Sequence, residues 1–308
     1  MDLSILAGEL QQKIKGKILI NEPLKNHTTF RIGGPADLLV VPAEVEELPY
    51  LLEFGEEKGL PVTLLGNGSN VLVRDGGIPG LVIKLAGGPK QIQFDGTGVV
   101  ADAGALMPRL AREAQNRGLT GLVFMIGIPG TVGGGVVMNA GAHGQCMEQV
   151  VTRVETIGPD RKMRLLPPMA LQMGYRNSSL QGNFNYVTRV YFKLSMGEKD
   201  RIREQMEHNL EFRRQKQPWN RPSAGSVFIN PPGQAAGFLL DRAGVKGLTR
   251  GGAQVAEEHA NFIINKGEAT ARDVLALIEE MQRLVIKLFG VELKTEIQVL
   301  GEDLNRRG

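Results

Sequence analysis

Residues 127–144 read GIPGTVGGGVVMNAGAHG, seven glycines in eighteen positions with one side chain able to carry charge, His143. Glycine inside a regular element costs up to about 1 kcal/mol against alanine. A cluster this dense therefore serves geometry: either the chain turns tightly, or something approaches its main-chain N–H groups. A second cluster, LGNGSNVLV at 65–73, has the same character, and its Asn and Ser side chains add donors without charge. Each cluster borders strongly apolar segments and reads as a loop emerging from a sheet. Convergent N–H groups with Asn and Ser beside them suit a phosphate or diphosphate. A pair of plain tight turns is the competing reading, and the recurrence of Asn and Ser tilts the balance toward a ligand.

Two missing motifs narrow that ligand. No G-x-x-x-x-G-K-[ST] occurs, which argues against a P-loop nucleotide hydrolase. GNGSNV at 66–71 begins a G-x-G-x-x-G run but places Val71 where the third glycine belongs; the usual dinucleotide fingerprint fails. A nucleotide would have to be bound by another fold.

The rest of the chain bounds the setting. At 308 residues, two or three domains are expected. Lys and Arg outnumber Asp and Glu only by 36 to 33, and the charges are interspersed. This argues against a nucleic-acid stripe or a polybasic membrane tail. No run approaches the roughly 18 apolar residues of a membrane span, and the N-terminus lacks a signal-peptide pattern. Cys146 is the one cysteine, so an internal disulfide is excluded, and a reducing cytoplasmic setting fits. His27, His143, His208 and His259 show no metal-ligand spacing, so no metal is expected. SAGSV at 223–227 lacks a nucleophile elbow. With no evident apolar surface patch, a monomer is the expectation.

Along the chain, ADLLVVP (36–42) and PVTLLG (61–66) read as buried strands joined by a helix that starts near Pro49 and ends at Gly59. A strand-rich middle follows, with a helix in LMPRLAREAQNRGL. The character changes near Gly197 to a charged helix. A later helix opens at Thr270 with a capping-box pattern, TARD, and carries an apolar stripe from Val274 to Leu288. A final strand is expected over 291–300. Three polar sites sit in suggestive settings: Tyr175 with Arg176, Ser226 after a glycine, and Glu296 amid an apolar strand. None is decisive alone.

Seven segments taken in order resemble the bacterial flavoenzyme family of UDP-N-acetylenolpyruvoylglucosamine reductases (MurB), type II subgroup. They are NHTTFRIGGPAD, LGNGSNVLV, IPGTVGGGVVMNAGAHG, GYRNSSL, SAGSVF, AQVAEEHANFIIN and LKTEIQVLG, spread over residues 26–301. The resemblance implies an α+β protein: a two-subdomain FAD-binding fold of the vanillyl-alcohol oxidase (PCMH) type plus a C-terminal α+β substrate-binding domain. The expected divisions are 1–86 with 297–308, then 87–197, then 198–296.

The implied reaction reduces the enolpyruvyl ether of UDP-N-acetylglucosamine to UDP-N-acetylmuramate for peptidoglycan. NADPH and non-covalent FAD carry the hydride to C3, which leaves carbanion or enolate character at C2. By the same resemblance Arg176 offers a fixed cation for the substrate carboxylate, Ser226 is the proton donor, and Glu296 assists. Tyr175 and Asn230 belong to the substrate side. FAD is expected against Leu65, Gly66, Asn67, Gly68, Ser69 and Asn70 from one loop. The other loop would offer Gly127, Ile128, Pro129, Gly130, Thr131, Gly133 and Gly134, with Asn139, Ala140, Gly141 and Ala142 beside the flavin. Gly127, Gly130, Gly133 and Gly134 are expected to let N–H groups reach the diphosphate.

One departure stands out: Ile229 occupies a position where the family commonly has lysine. Two alternatives compete with the reductase reading. A flavin oxidase of the same superfamily would often tie FAD covalently, for instance through His143 or Cys146. A nucleotide-sugar binding module would lack turnover.

Overall fold

The computed structural model describes residues 2–183 and 185–304; the parts of the expected domains at 1, 184 and 305–308 lie outside them. The chain forms two compact units. One takes the residues up to Ile20, Leu38–Asn67 and Gly80–Phe212; the other takes Asn21–Asp37, Gly68–Pro79 and the chain from Arg213 onward.

In the first unit, the helix expected between two strands is Leu48–Glu57. Pro49 sits in its first turn, and Gly59 follows its end with φ +63°. Proline tolerates a first turn because its missing N–H has no partner there. The two expected strands, Pro35–Val41 and Val62–Leu65, are not neighbours in the sheet: Ile78–Lys84 lies between them, and Lys17–Pro23 takes the far edge. Burial explains this order. Gly80, Leu81, Val82 and Ile83 are all buried, as an interior strand requires, whereas Val62–Leu65 is sealed only at Leu65.

The middle segment builds a second, antiparallel sheet. Its order is Met163–Leu166, Val151–Ile157, Tyr186–Lys193, Gly98–Asp102 and Ile92–Asp95. The helix Met107–Asn116 buries Met107, Leu110, Ala111 and Ala114 at the spacing of one helical face.

The glycine-rich stretch corrects the expectation of a plain loop. It contains a six-residue helix, Val132–Val137, whose start is capped by Thr131: the Gly134 N–H donates to Thr131 Oγ1 at 3.3 Å. The glycines allow close packing there. A Cβ on Gly133 would stand 2.7 Å from Ala103 Cβ, and one on Gly135 would stand 2.7 Å from Met107 Sδ.

In the second unit, helix Ala271–Phe289 buries Val274, Leu277, Ile278, Met281 and Val285, while Leu288, expected in the stripe, is exposed. The capping box forms as read. Asp273 N–H donates to Thr270 Oγ1 at 3.1 Å, and Thr270 N–H donates to Asp273 Oδ2 at 2.9 Å. Asp75 adds two acceptors to the same helix start, for Ala271 N–H at 2.8 Å and Arg272 N–H at 3.1 Å. The helix packs beside a three-stranded sheet of Thr249–Arg250, Ala253–Val255 and Ile263–Asn265.

The final strand is shorter than expected. Only Gln298–Leu300 is regular, pairing in parallel with Val71–Val73. The residues before it change partner: Thr295 bridges Phe228 instead.

Candidate active site

The start of the 65–73 cluster, Leu65–Asn67, meets the glycine-rich stretch inside the first unit. A Cβ on Gly66 would lie 2.6 Å from Thr131 Oγ1, and Asn67 Nδ2 donates to the Pro129 carbonyl at 2.5 Å. Leu65 ends its strand buried just before this contact. Gly130 and Thr131 are held from the other side, since Met107 N–H donates to Gly130 O at 3.0 Å and Val132 N–H to Ala105 O at 2.8 Å. The expectation that Gly133 and Gly134 present N–H groups to a diphosphate is corrected. Gly133 N–H is bonded to Ala103 O at 2.9 Å and Gly134 N–H to the Thr131 cap. Ile128 N–H is likewise used, on Met125 O.

Asn139, Ala140, Gly141 and Ala142 lie at the far end of the glycine-rich helix. Asn139 is buried with φ +41°, and its carboxamide works within the unit: Nδ2 donates to Gly174 O at 2.9 Å, and Oδ1 accepts from Glu148 N–H at 3.1 Å. Ala140 N–H bonds Gly135 O at 2.7 Å. Gly141 and Ala142 pair with Cys146 and Gln145 in a small hairpin.

The Asn139 bond reaches the turn that carries Tyr175 and Arg176. Gly174 and Asn177 exchange hydrogen bonds at 3.0 and 3.2 Å, so these two residues form its tip. Arg176 has φ +55° and donates from Nη2 to Gly141 O at 3.1 Å; its guanidinium stands 5.3 Å from the Tyr175 ring, which is 58% exposed. Tyr175, Arg176 and the 139–142 segment are thus brought together.

In the second unit, Gly68 is buried with φ +62°, and a Cβ there would stand 2.4 Å from the His27 carbonyl. Asn70 links this loop to Glu296 by donating from Nδ2 to the Glu296 carbonyl at 3.1 Å. Ser226 and Glu296 lie on adjoining extended segments. Glu296 N–H donates to Val227 O at 2.7 Å, Phe228 bridges Thr295, and Ser226 bridges Phe262. Ile229 N–H donates to Lys294 O at 3.0 Å, so a lysine stands across the ladder from the position lacking one. The Asn230 carboxamide oxygen accepts from Ala236 N–H at 2.9 Å at the start of helix Ala236–Arg242.

Asn261, a residue that carried no expected role, bonds to Val227 and Phe228, the two residues after Ser226. Its N–H donates to His259 Nδ1 at 3.1 Å. Burial, and then the nearby Lys246, hold the His259 imidazole below its ordinary range. The signal for Asn261 was a polar residue inside the apolar run HANFII.

These residues fit FAD. Among the described residues, no hydrogen bond engages the N–H groups of Asn67, Gly68 and Ser69, which leaves donors on the loop from which a diphosphate would need them. Among the described residues there is also no cluster of His, Cys, Asp or Glu able to hold a metal, and no helix long and apolar enough to cross a membrane.

Comparison with known proteins gives the context. Residues 36–164 match the family described as FAD binding domain, and residues 217–300 match the C-terminal domain of UDP-N-acetylenolpyruvoylglucosamine reductase. The reductase of Moorella thermoacetica is 49% identical over 304 residues, which cover 99% of this chain and 100% of that one. The chain belongs to the UDP-N-acetylenolpyruvoylglucosamine reductase family.

Other members agree. UDP-N-acetylenolpyruvoylglucosamine reductase 2 of Symbiobacterium thermophilum is 46% identical, with 98% of both chains covered. The crystal structure of the reductase MurB from Thermus caldophilus superposes with a TM-score of 0.80 at 40% identity, covering 94% of this chain and all of that one. An alkyldihydroxyacetonephosphate synthase shares the fold alone, with a TM-score of 0.50 at 14% identity over 64% of this chain and 41% of that one. The reductase family assignment carries the α+β fold class with it: an FAD-binding fold of the vanillyl-alcohol oxidase type and a C-terminal reductase domain. It also makes the chain an FAD-dependent oxidoreductase.

Proposed function

We propose that this chain reduces the enolpyruvyl ether of UDP-N-acetylglucosamine with NADPH, giving UDP-N-acetylmuramate for peptidoglycan synthesis, and that Arg176, Ser226 and Glu296 are its chemical groups. The observation that supports the assignment of Ser226 and Glu296 is that both adjoin one residue: Val227 follows Ser226 in the chain, and its carbonyl accepts from Glu296 N–H at 2.7 Å. When bound, FAD supplies two-electron hydride chemistry between NADPH and the enolpyruvyl C3.

The protein must then do two things: stabilise charge growing beside the substrate carboxylate, and deliver a proton to C2. Arg176 presents a planar cation that matches a carboxylate in two parallel hydrogen bonds. Ser226 Oγ gives up its proton to C2. A serine hydroxyl is a weak acid, but a carbanion next to a carboxylate is a strong base, so the transfer is downhill. Glu296 serves the same carbon by hydrogen bonding to the enolic form. Tyr175 and Asn230 contact the substrate. The loops at Leu65–Asn70 and Gly127–Ala142 hold FAD, with the N–H groups of Asn67, Gly68 and Ser69 as the diphosphate donors.

We further propose three functional divisions, at 1–86 with 297–308, at 87–197 and at 198–296, and a cytoplasmic monomer. NADPH consumption by the FAD-loaded protein, with and without the enolpyruvyl nucleotide, tests it. Substrate-dependent oxidation with formation of UDP-N-acetylmuramate is expected, and equal NADPH consumption in both arms would sink the assignment.

A further inference from the structure

Asn261 is 3% exposed, and three of its polar groups are spent on the segment that carries Ser226. Its backbone carbonyl accepts from Val227 N–H at 2.9 Å, its Oδ1 accepts from Phe228 N–H at 2.9 Å, and its Nδ2 donates to Phe228 O at 2.8 Å. The side-chain bonds fix the amide's orientation, because a donor faces Oδ1 and an acceptor faces Nδ2; flipping it would break both. Backbone at 259–262 turns on itself, with Phe262 N–H donating to His259 O at 3.0 Å. Here the carboxamide takes the place of a peptide group in the ladder and pairs with Phe228 on both edges.

The opposite edge of the same segment is held by the strand carrying Glu296. Glu296 N–H donates to Val227 O, and Ile229 N–H donates to Lys294 O. The Val227 peptides are therefore clamped between Asn261 on one side and Glu296 on the other. A tilt of that segment would move the Ser226 hydroxyl and change its register against Glu296 together. A buried amide that satisfies a backbone N–H and C=O at once is costly to remove, since a buried polar group left unpaired has lost its water without gaining a partner. An apolar side chain here would leave both Phe228 groups without partners.

We infer that Asn261 is a positioning residue that sets the Ser226 proton donor and Glu296 against each other through the Val227–Phe228 peptide. The inference rests on the proposed function of the site. Its effect belongs to the proton-delivery half of the reaction and not to reduction of the flavin by NADPH.

Rapid-mixing measurement of the two half-reactions on the FAD-loaded protein tests it, using Asn261→Asp and Asn261→Ala. In both variants, FAD content and flavin reduction by NADPH stay at wild-type levels, while reoxidation by the enolpyruvyl nucleotide slows by about tenfold to a hundredfold, the scale of a small misplacement of a reacting group. Asn261→Asp separates positioning from bulk stability. Its ionised carboxylate faces the Phe228 carbonyl with no donor, but its protonated form can donate again, so its reoxidation rate recovers as pH falls, relative to the wild type at each pH. An unchanged reoxidation rate, a parallel fall in both half-reactions, loss of FAD in both variants, or an Asp variant without pH recovery would each overturn the inference. Failure of the wild-type protein to reoxidise with the nucleotide would instead overturn the proposed function.

Discussion

Gln181 donates from its carboxamide to the Arg176 carbonyl at 3.0 Å and to the Val137 carbonyl at 3.1 Å. Together with the Asn139 bond to Gly174, this ties the Arg176 turn to the end of the glycine-rich helix. A non-glycine residue in the left-handed region costs roughly 1–2 kcal/mol, and Arg176 is held there at φ +55°. The surrounding bonds over-determine that conformation, so the guanidinium is placed before substrate arrives.

Arg176→Lys keeps a positive charge but loses the planar fork. Turnover with the enolpyruvyl nucleotide is expected to fall by about 10²–10³, the range for removing one preorganised donor. Flavin reduction by NADPH should remain near wild type, and steady-state kinetics beside single-turnover traces check both.

Ser226→Ala removes the proposed proton donor while leaving the Val227 and Phe228 backbone bonds available. Reoxidation of the flavin by the nucleotide should slow by about 10²–10⁴, as for loss of a general acid. Reduction by NADPH should be nearly untouched; an equal loss in both halves contradicts the role.

Gly66 and Thr131 form a pair suited to a double-mutant cycle. A Cβ at position 66 would stand 2.6 Å from Thr131 Oγ1, which caps the helix Val132–Val137. Gly66→Ala should lower Tm and weaken FAD retention, read as flavin lost on ultrafiltration. Thr131→Ala should cost about 1 kcal/mol for the missing cap. The double variant should be more stable than the sum of the two, because removing the hydroxyl clears the space the methyl needs.

Acid sensitivity should separate into two pH windows. Burial, reinforced by Lys246 and opposed by Asp241, holds His259 below its ordinary value of 6.5. Its Nδ1 accepts from Asn261 N–H, which protonation at that nitrogen would forbid. Between 6.5 and the lower folded value, the unfolded chain binds the proton and the folded chain does not, so stability falls as pH drops through that window. His259→Gln retains an acceptor without the titration and should flatten that part of a Tm-against-pH curve. Glu22 acts lower down. The His27 hydrogen bond holds its carboxyl below 4.5, so its stabilisation is present above 4.5 and is lost as pH falls through the lower folded value.

Local patterns carried much of the fold. Pro49, Gly59 and the Thr270–Asp273 box marked helix ends correctly, because capping and proline restraints act within a few residues. Neighbour relations were not legible. Nothing in the 61–66 run says that Ile78–Lys84 lies between it and Pro35–Val41, since strand order depends on burial summed over the whole sheet. The 291–300 segment read as one strand because its alternation is continuous, yet its residues pair with two different partners. The glycine-rich stretch showed close approach without showing to what: at Gly133 and Gly135 the answer is the protein's own Ala103 and Met107. At Asn261 the sequence offered a polar residue among apolar ones, but the Phe228 peptide it serves lies 33 positions away.

The C-terminal reductase segment, matched at 217–300, has no complete core of its own. Phe30, Ile32 and Leu72 are sealed in the same cluster as Val227, Leu277 and Ile297, and they come from early stretches of the chain. A gene fragment that began at the segment's border would encode a domain with holes where those side chains sit. The unit built on this core takes in two short upstream pieces, 21–37 and 68–79, which interrupt the sequence of the other unit.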